Sequence, residues 1–132
     1  MTYSYKKKPI RSFRDLDVYA RTLQYALHLE KLLKKVPLFP NRSNASSSAL
    51  SIPLAIARAH SLHFSDNISA HNLLEEAMTH CNTVIVYIED LRGMYEKKIS
   101  FEETEALIKD YLAIRTKIFR LQKAWDTPKK SS

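Results

Sequence analysis

The apolar residues of this 132-residue chain recur at three- and four-residue steps, the spacing that keeps side chains on one face of an α-helix. One such stripe is Leu74, Ala77, Met78, Cys81, Val84, Ile85, Ile88, Leu91 and Tyr95. With Ser65-Asp66-Asn67 as an N-terminal cap it predicts a helix over about 67–95. Another, Leu107, Tyr111, Ile114, Ile118, Leu121 and Trp125, follows Ser100-Phe101-Glu102-Glu103, a full capping box, and predicts a helix over about 101–125. Upstream, Leu16, Tyr19, Leu23, Ala26, Glu30 and Leu33 are apolar at all but one position and predict a helix over about 13–36, opened by Ser12 and Asp15. Val18, Tyr25, Leu29, Leu32 and Val36 form a further stripe on a different side of that helix. A helix with two apolar faces must bury both, so one is expected inside its own bundle and the other against a second subunit.

Pro37-Leu38-Phe39-Pro40-Asn41 ends the first helix, because a proline disfavours the α region for the residue before it. The Ser- and Asn-rich stretch that follows supplies a loop and N-caps for a helix over about 45–63, through Ala49, Ile52, Ile56 and Ala59. Pro53 lies inside it. Proline has no N–H and its ring presses on the carbonyl four residues back, so Ala49 loses its helical donor and a kink is expected, at a cost of about 3 kcal/mol. Ala45, Ala49, Ala55, Ala57 and Ala59 permit close approach of a neighbouring helix, which predicts that the bend is packed rather than exposed.

Four such helices with short links make an all-α, antiparallel up-down four-helix bundle. The expected organisation is a basic flexible arm over 1–11, the bundle over 12–126 and a polar tail over 127–132. A single glycine, Gly93, in a chain that is 45% hydrophobic agrees, since sheets with tight hairpins need more. The lone Cys81 rules out an internal disulfide and a thiolate-rich metal site, and its place in an apolar stripe marks it as a small hydrophobe. No run approaches the roughly 20 apolar residues of a membrane span and the first nine residues lack an apolar core, so a cytoplasmic location is expected.

Charge narrows the function classes. Net charge is +7, but residues 1–65 hold eleven Lys/Arg against three acids, whereas residues 66–99 hold three against six. From Tyr111 onward six Lys/Arg face one acid, a density suited to salt-sensitive phosphate contacts that read no sequence. The candidate nucleic-acid-binding residues are Lys31, Lys34 and Lys35 at the end of the first helix, Arg42 and Arg58, and Arg115, Lys117, Arg120 and Lys123 in the last helix. The helix dipole accounts for part of the first three. Phe119 and Trp125 are the only aromatics in the last group, and Trp125 falls on the core stripe.

His60 and His63, three apart, with His71 beyond, are the candidate metal ligands, but the Glu-x-x-His pattern of di-iron bundles is missing and the two are expected to cap the end of the second helix. Cys81 has no base at a telling spacing, Glu75-Glu76 and Glu89-Asp90 fall on a wet face, and no Gly-rich loop exists to cradle phosphates. No catalytic residue, metal or cofactor is expected, and the chain reads as a non-enzyme.

Ile10-Arg11-Ser12-Phe13-Arg14-Asp15-Leu16-Asp17-Val18-Tyr19 resembles the opening of the small four-helix bundle proteins encoded in bacterial large-subunit rRNA intervening sequences. Ala49-Leu50-Ser51-Ile52-Pro53-Leu54-Ala55-Ile56-Ala57 is similar to that family's second-helix motif, and Lys98 to Glu103 has its look as well. The same family includes the accessory variability determinant proteins of diversity-generating retroelements, which are basic, form barrel-shaped homopentamers, and bind nucleic acid and the element's reverse transcriptase. Where the intervening-sequence proteins continue toward Asn-Ile-Ala-Glu-Gly, this chain has Ala55-Ile56-Ala57-Arg58-Ala59, which is more basic and tilts toward the retroelement branch. The resemblance implies a homopentamer that binds RNA or DNA and a reverse transcriptase. Two alternatives stand beside it: a pentameric intervening-sequence protein of undefined role, and a metal-binding bundle.

Overall fold

Four amphipathic helices bury their apolar stripes only by sharing one core, and the helices pack around a square to do so. The computed structural model describes residues 9–126, in which a 3-10 turn (Phe13–Asp15) precedes α1 (Asp17–Lys34), α2 (Arg42–Leu62), α3 (Asn67–Met94) and α4 (Phe101–Asp126). No strand occurs among the described residues. Neighbours in sequence pack against each other, α1 closes the ring on α4, and the backbones of the two diagonal pairs do not come close. Side-chain bonds fix the directions. Lys117 of α4 meets Asp17 at 3.3 Å while His28 meets Glu103 at 2.9 Å, so α1 and α4 run antiparallel. Arg92 to Glu105 (2.9 Å) and Gln122 to the His71 carbonyl (3.1 Å) show the same for α3 and α4. No helix among the described residues is long and apolar enough to cross a membrane.

The core contains the stripes read from the sequence, with Leu74, Cys81, Ile88, Leu107, Tyr111, Ile114 and Ile118 at 0–1% exposure. Its buried threonines are matched locally: the Thr22 hydroxyl donates to the Val18 carbonyl (2.7 Å) and that of Thr104 to the Ser100 carbonyl (3.0 Å). Tyr111 packs edge-on against Tyr25 (5.5 Å), and its buried hydroxyl has no hydrogen-bond partner among the described residues.

Four expectations are corrected. The Ser12–Asp15 box forms, with Ser12 Oγ accepting from the Arg14 amide (3.2 Å) and the Asp15 carboxylate from the Arg11 amide (2.8 Å), but it closes only a 3-10 turn. Leu16 is extended (φ −75°, ψ 126°), which turns its side chain into the core, and α1 begins at Asp17. The two stripes of α1 are not two separate faces: Val18, Ala26, Leu29, Leu32 and Leu33 are all buried in the protein's own core. The apolar side chain that α1 leaves 56% exposed is Leu27, from neither stripe.

The third correction is that α2 starts at Arg42, so the Ser-Asn run is helix rather than loop. Ala45 and Ala49, each 1% exposed, bring that turn into the core, and packing overrides the weak helix propensity of Ser and Asn. Fourth, the box at α4 is half made: Ser100 Oγ accepts from the Glu103 amide (3.2 Å), but the Glu103 carboxylate goes to His28. The Asp66 cap forms as expected, accepting from the Ser69 amide (3.1 Å) and hydroxyl (2.6 Å), and these bonds hold its carboxyl below the usual range. Pro53 is buried within α2, which continues on both sides of it. The expected arm over 1–11 and tail over 127–132 lie, from residue 8 down and from 127 up, outside the described residues.

Candidate nucleic-acid interface

An up-down bundle with an even number of helices returns the chain to the end at which it entered. Here that end holds the 3-10 turn, the start of α1, the end of α2, the start of α3 and the end of α4. Arg11 precedes the turn and Arg14 lies in it, Arg58 lies near the end of α2, and Arg115, Lys117, Arg120 and Lys123 occupy the last turns of α4, all of them exposed. The sequence continuing from this end carries Lys6, Lys7 and Lys8 before it and Lys129 and Lys130 after it.

At 100° per residue the four cations of α4 spread over its exposed side. Arg115 faces the α3 side, in an open groove of about 320 Å³ that it shares with Glu75, Met78 and Phe119. Lys117 faces the α1 side beside Asp17, and Lys123 lies 5.2 Å over the Phe119 ring. Arg58 shares their level but sits on the diagonal helix, on another side of the bundle.

The acids of this end are largely engaged. Partial burial pushes the Asp17 carboxyl up, but hydrogen bonds from Arg21 (2.8 Å) and Lys117 together outweigh it and the net shift is downward. Asp66 caps α3, and Asp126 meets His71 Nδ1 at 3.0 Å. Arg58, Arg115 and Arg120 make no ion pair with a described carboxylate. Arginines left in water beside neutralised acids make a surface of positive potential.

Lys31, Lys34, Lys35 and Arg42 are brought to the opposite end. Lys35 stands 3.9 Å from Glu103, Lys31 lines a groove of about 440 Å³ with Tyr25 and His28, and the Nε of Arg42 is buried without a partner among the described residues. Glu102, Glu103 and Glu105 in the first turns of α4 offset these cations. From Glu103 it is 12 residues of helix to Arg115 and 20 to Lys123, so the two groups lie about 18–30 Å apart, two to three Debye lengths at 0.1 M salt. The nine candidate residues are therefore two groups rather than one surface.

His63 does end α2, as its C-cap residue, but its ring is stacked on Trp125 (centroids 4.2 Å apart, planes 12° apart), with His60 at 6.4 Å from the same indole. No group of three or more His, Cys, Asp or Glu among the described residues is placed to hold a metal ion. Cys81 is fully buried, which pushes its thiol up to about 12 against an opposing pull from Arg115. A thiol so protonated is a poor nucleophile at neutral pH.

Arg11 and Arg14 were absent from the residues singled out in sequence, as was the His63–Phe64–Trp125 group. The signal for the arginines was topological: an even helix count places the chain's basic beginning beside its basic end. The ring cluster had no such signal, because it joins helices that are not neighbours in the bundle. No family model matches this chain, and no curated protein or solved structure is found to be similar to it.

Proposed function

We propose that this chain is a non-enzymatic accessory protein of a diversity-generating retroelement, which binds RNA or DNA backbone and a reverse transcriptase in mutagenic retrohoming. The observation that carries the nucleic-acid part is the gathering of Arg11, Arg14, Arg115, Lys117, Arg120 and Lys123 at the end from which both lysine-bearing termini continue, with the local acids tied into caps and pairs. Phosphate contacts of this type position a strand without reading its bases. The reverse-transcriptase partner rests on the resemblance of Ile10 to Tyr19 and of Ala49 to Ala57 to that family's motifs.

The working form is a barrel-shaped homopentamer, with a bend at Pro53 shaping the subunit contact. A closed ring uses two different, complementary surfaces on each subunit. On one side stand Leu27, Leu50 and Leu54, 48–56% exposed, on helices whose Glu30–Ser46 bond brings Leu27 level with Leu50. Between Arg42 and Arg58 α2 carries no Lys, Arg, Asp or Glu. On the α3–α4 side stand Val86, Leu112 and Phe119, 45–62% exposed. Leu50→Glu with Leu54→Glu should convert the assembly to monomer while leaving helix content unchanged, as read by light scattering and circular dichroism. A wild-type monomer mass would remove the ring.

The nucleic-acid reading is tested by electrophoretic mobility of a structured RNA at 50 mM salt. A retarded complex is expected. A pentamer that leaves the RNA unshifted returns the chain to the intervening-sequence alternative.

A further inference from the structure

The end of the bundle that carries the basic cluster also carries a set of rings that the core does not absorb. Trp125 is half-buried, with His63 stacked on it at 4.2 Å; His63 in turn meets Phe64 at 4.0 Å and 43°, and Phe64 is 77% exposed. The order from inside outward is indole, imidazole, phenyl. The set is held from below: Asn67 Nδ2 donates to the Trp125 carbonyl (3.3 Å), His71 pairs with Asp126 (3.0 Å), and buried Gln122 donates to the His71 carbonyl (3.1 Å). These bonds fasten the last turn of α4, which carries Trp125, to the first turns of α3.

A single exposed phenylalanine is ordinary on a protein surface. This one lies 43° tilted against a histidine that is itself stacked on Trp125, at the end of the bundle where α4 carries Arg120 and Lys123 and where Arg11 and Arg14 stand. Cations that hold a backbone next to an aromatic face are the two components of single-strand binding, and a duplex offers no base face to such a step except at its ends.

We infer that Phe64, backed by His63 and Trp125, is a stacking platform for an unpaired base, and that the ligand of this end is single-stranded nucleic acid. The inference rests on the nucleic-acid reading above and specifies it: the α4 cations grip phosphates of a strand whose base turns onto Phe64. No base edge is read there, so the preference is for single-strandedness and not for sequence.

Trp125 is the chain's one tryptophan and reports the platform directly. Its fluorescence should be quenched by a 20-residue oligo(U) in a saturable way and much less by a duplex RNA of equal length. Phe64→Ala should weaken oligo(U) binding about tenfold, within the range for loss of one stacked base, and leave duplex affinity within about twofold. Phe64→Trp should restore the oligo(U) affinity, which a general loss of fold would not allow. Equal losses for both ligands, or no loss with Phe64→Ala, would overturn the platform. If Phe64→Ala binds normally while glutamines at Arg115, Lys117, Arg120 and Lys123 abolish binding, the platform alone fails. No binding of either ligand at low salt overturns the platform and the nucleic-acid reading together.

Discussion

Replacing Arg115, Lys117, Arg120 and Lys123 together by Gln should lower nucleic-acid affinity about a thousandfold at 0.1 M salt and leave the bundle folded. Each phosphate contact contributes about 0.7–0.9 to the slope of log K against log[salt], so four contacts contribute about 3, or three decades between 1 M and 0.1 M. All four side chains are exposed, and Lys117 pairs with Asp17 at 3.3 Å. Asp17 keeps its two-oxygen contact with Arg21, so loss of the Lys117–Asp17 surface pair is a minor term. The matched control is Lys31→Gln, Lys34→Gln and Lys35→Gln, about 18–30 Å away, which should weaken binding no more than several-fold because that distance is screened. Fluorescence anisotropy of a labelled RNA over a salt series measures both variants, with circular dichroism as the check on folding. Equal losses would show that the two ends act as one surface.

Stability should fall steeply in mild alkali, for reasons set in the core. Burial raises the Cys81 thiol from 9.0 to about 12, and Tyr111 is likewise raised, by burial first and then by Cys81, Tyr25 and Asp110. The unfolded chain loses both protons earlier. Between about pH 9 and 12 the unfolded state therefore binds fewer protons than the native state, and stability declines with pH, by about 1.4 kcal/mol per unit for Cys81 and about 4 kcal/mol over the interval. Tyr111 adds a second decline from about pH 10, so the urea midpoint should hold from pH 7 to 9 and then drop. Cys81→Ala should delay the onset by about a unit. Tyr111→Phe should remove the second decline and, since its hydroxyl is buried without a partner among the described residues, leave neutral-pH stability unchanged or raised by about 1 kcal/mol. A flat profile to pH 11 would mean that neither group is as desolvated as its burial indicates.

Much of the fold was legible because the stripes are long. Leu74 to Leu91 and Leu107 to Ile118 mark their helices without ambiguity, and the Asp66 cap forms where it was expected. The errors fall where local and tertiary terms compete. Asn41 to Ser48 reads as loop by propensity, yet Ala45 and Ala49 pull it into α2; Ser12 and Asp15 make a good box, yet the core takes Leu16 and ends the turn. The α1 stripes looked like two faces because a helix wheel does not show how wide a groove α2 and α4 leave between them. Leu27, the residue left outside, had no periodic signal at all.

The candidate site was legible residue by residue but not as a surface. Lys31 and Lys123 are equally basic in sequence, and only the helix directions separate them. Conversely, His63 and Trp125 lie 62 positions apart on helices that are not neighbours, and spacing along the chain carries no trace of their stack. Around Pro53 the sequence pattern is plain, since Ala49, Ile52 and Ile56 are in the core while Leu50 and Leu54, on the outside of the same turns, are exposed.

The central claim is that this protein holds nucleic acid by its phosphates, and the salt dependence of wild-type binding tests it most directly. The equilibrium constant for a structured RNA with single-stranded segments should fall linearly on a log–log plot between 50 and 300 mM salt, with a slope steeper than about −3. A slope near zero, or no binding at 50 mM salt, would contradict it.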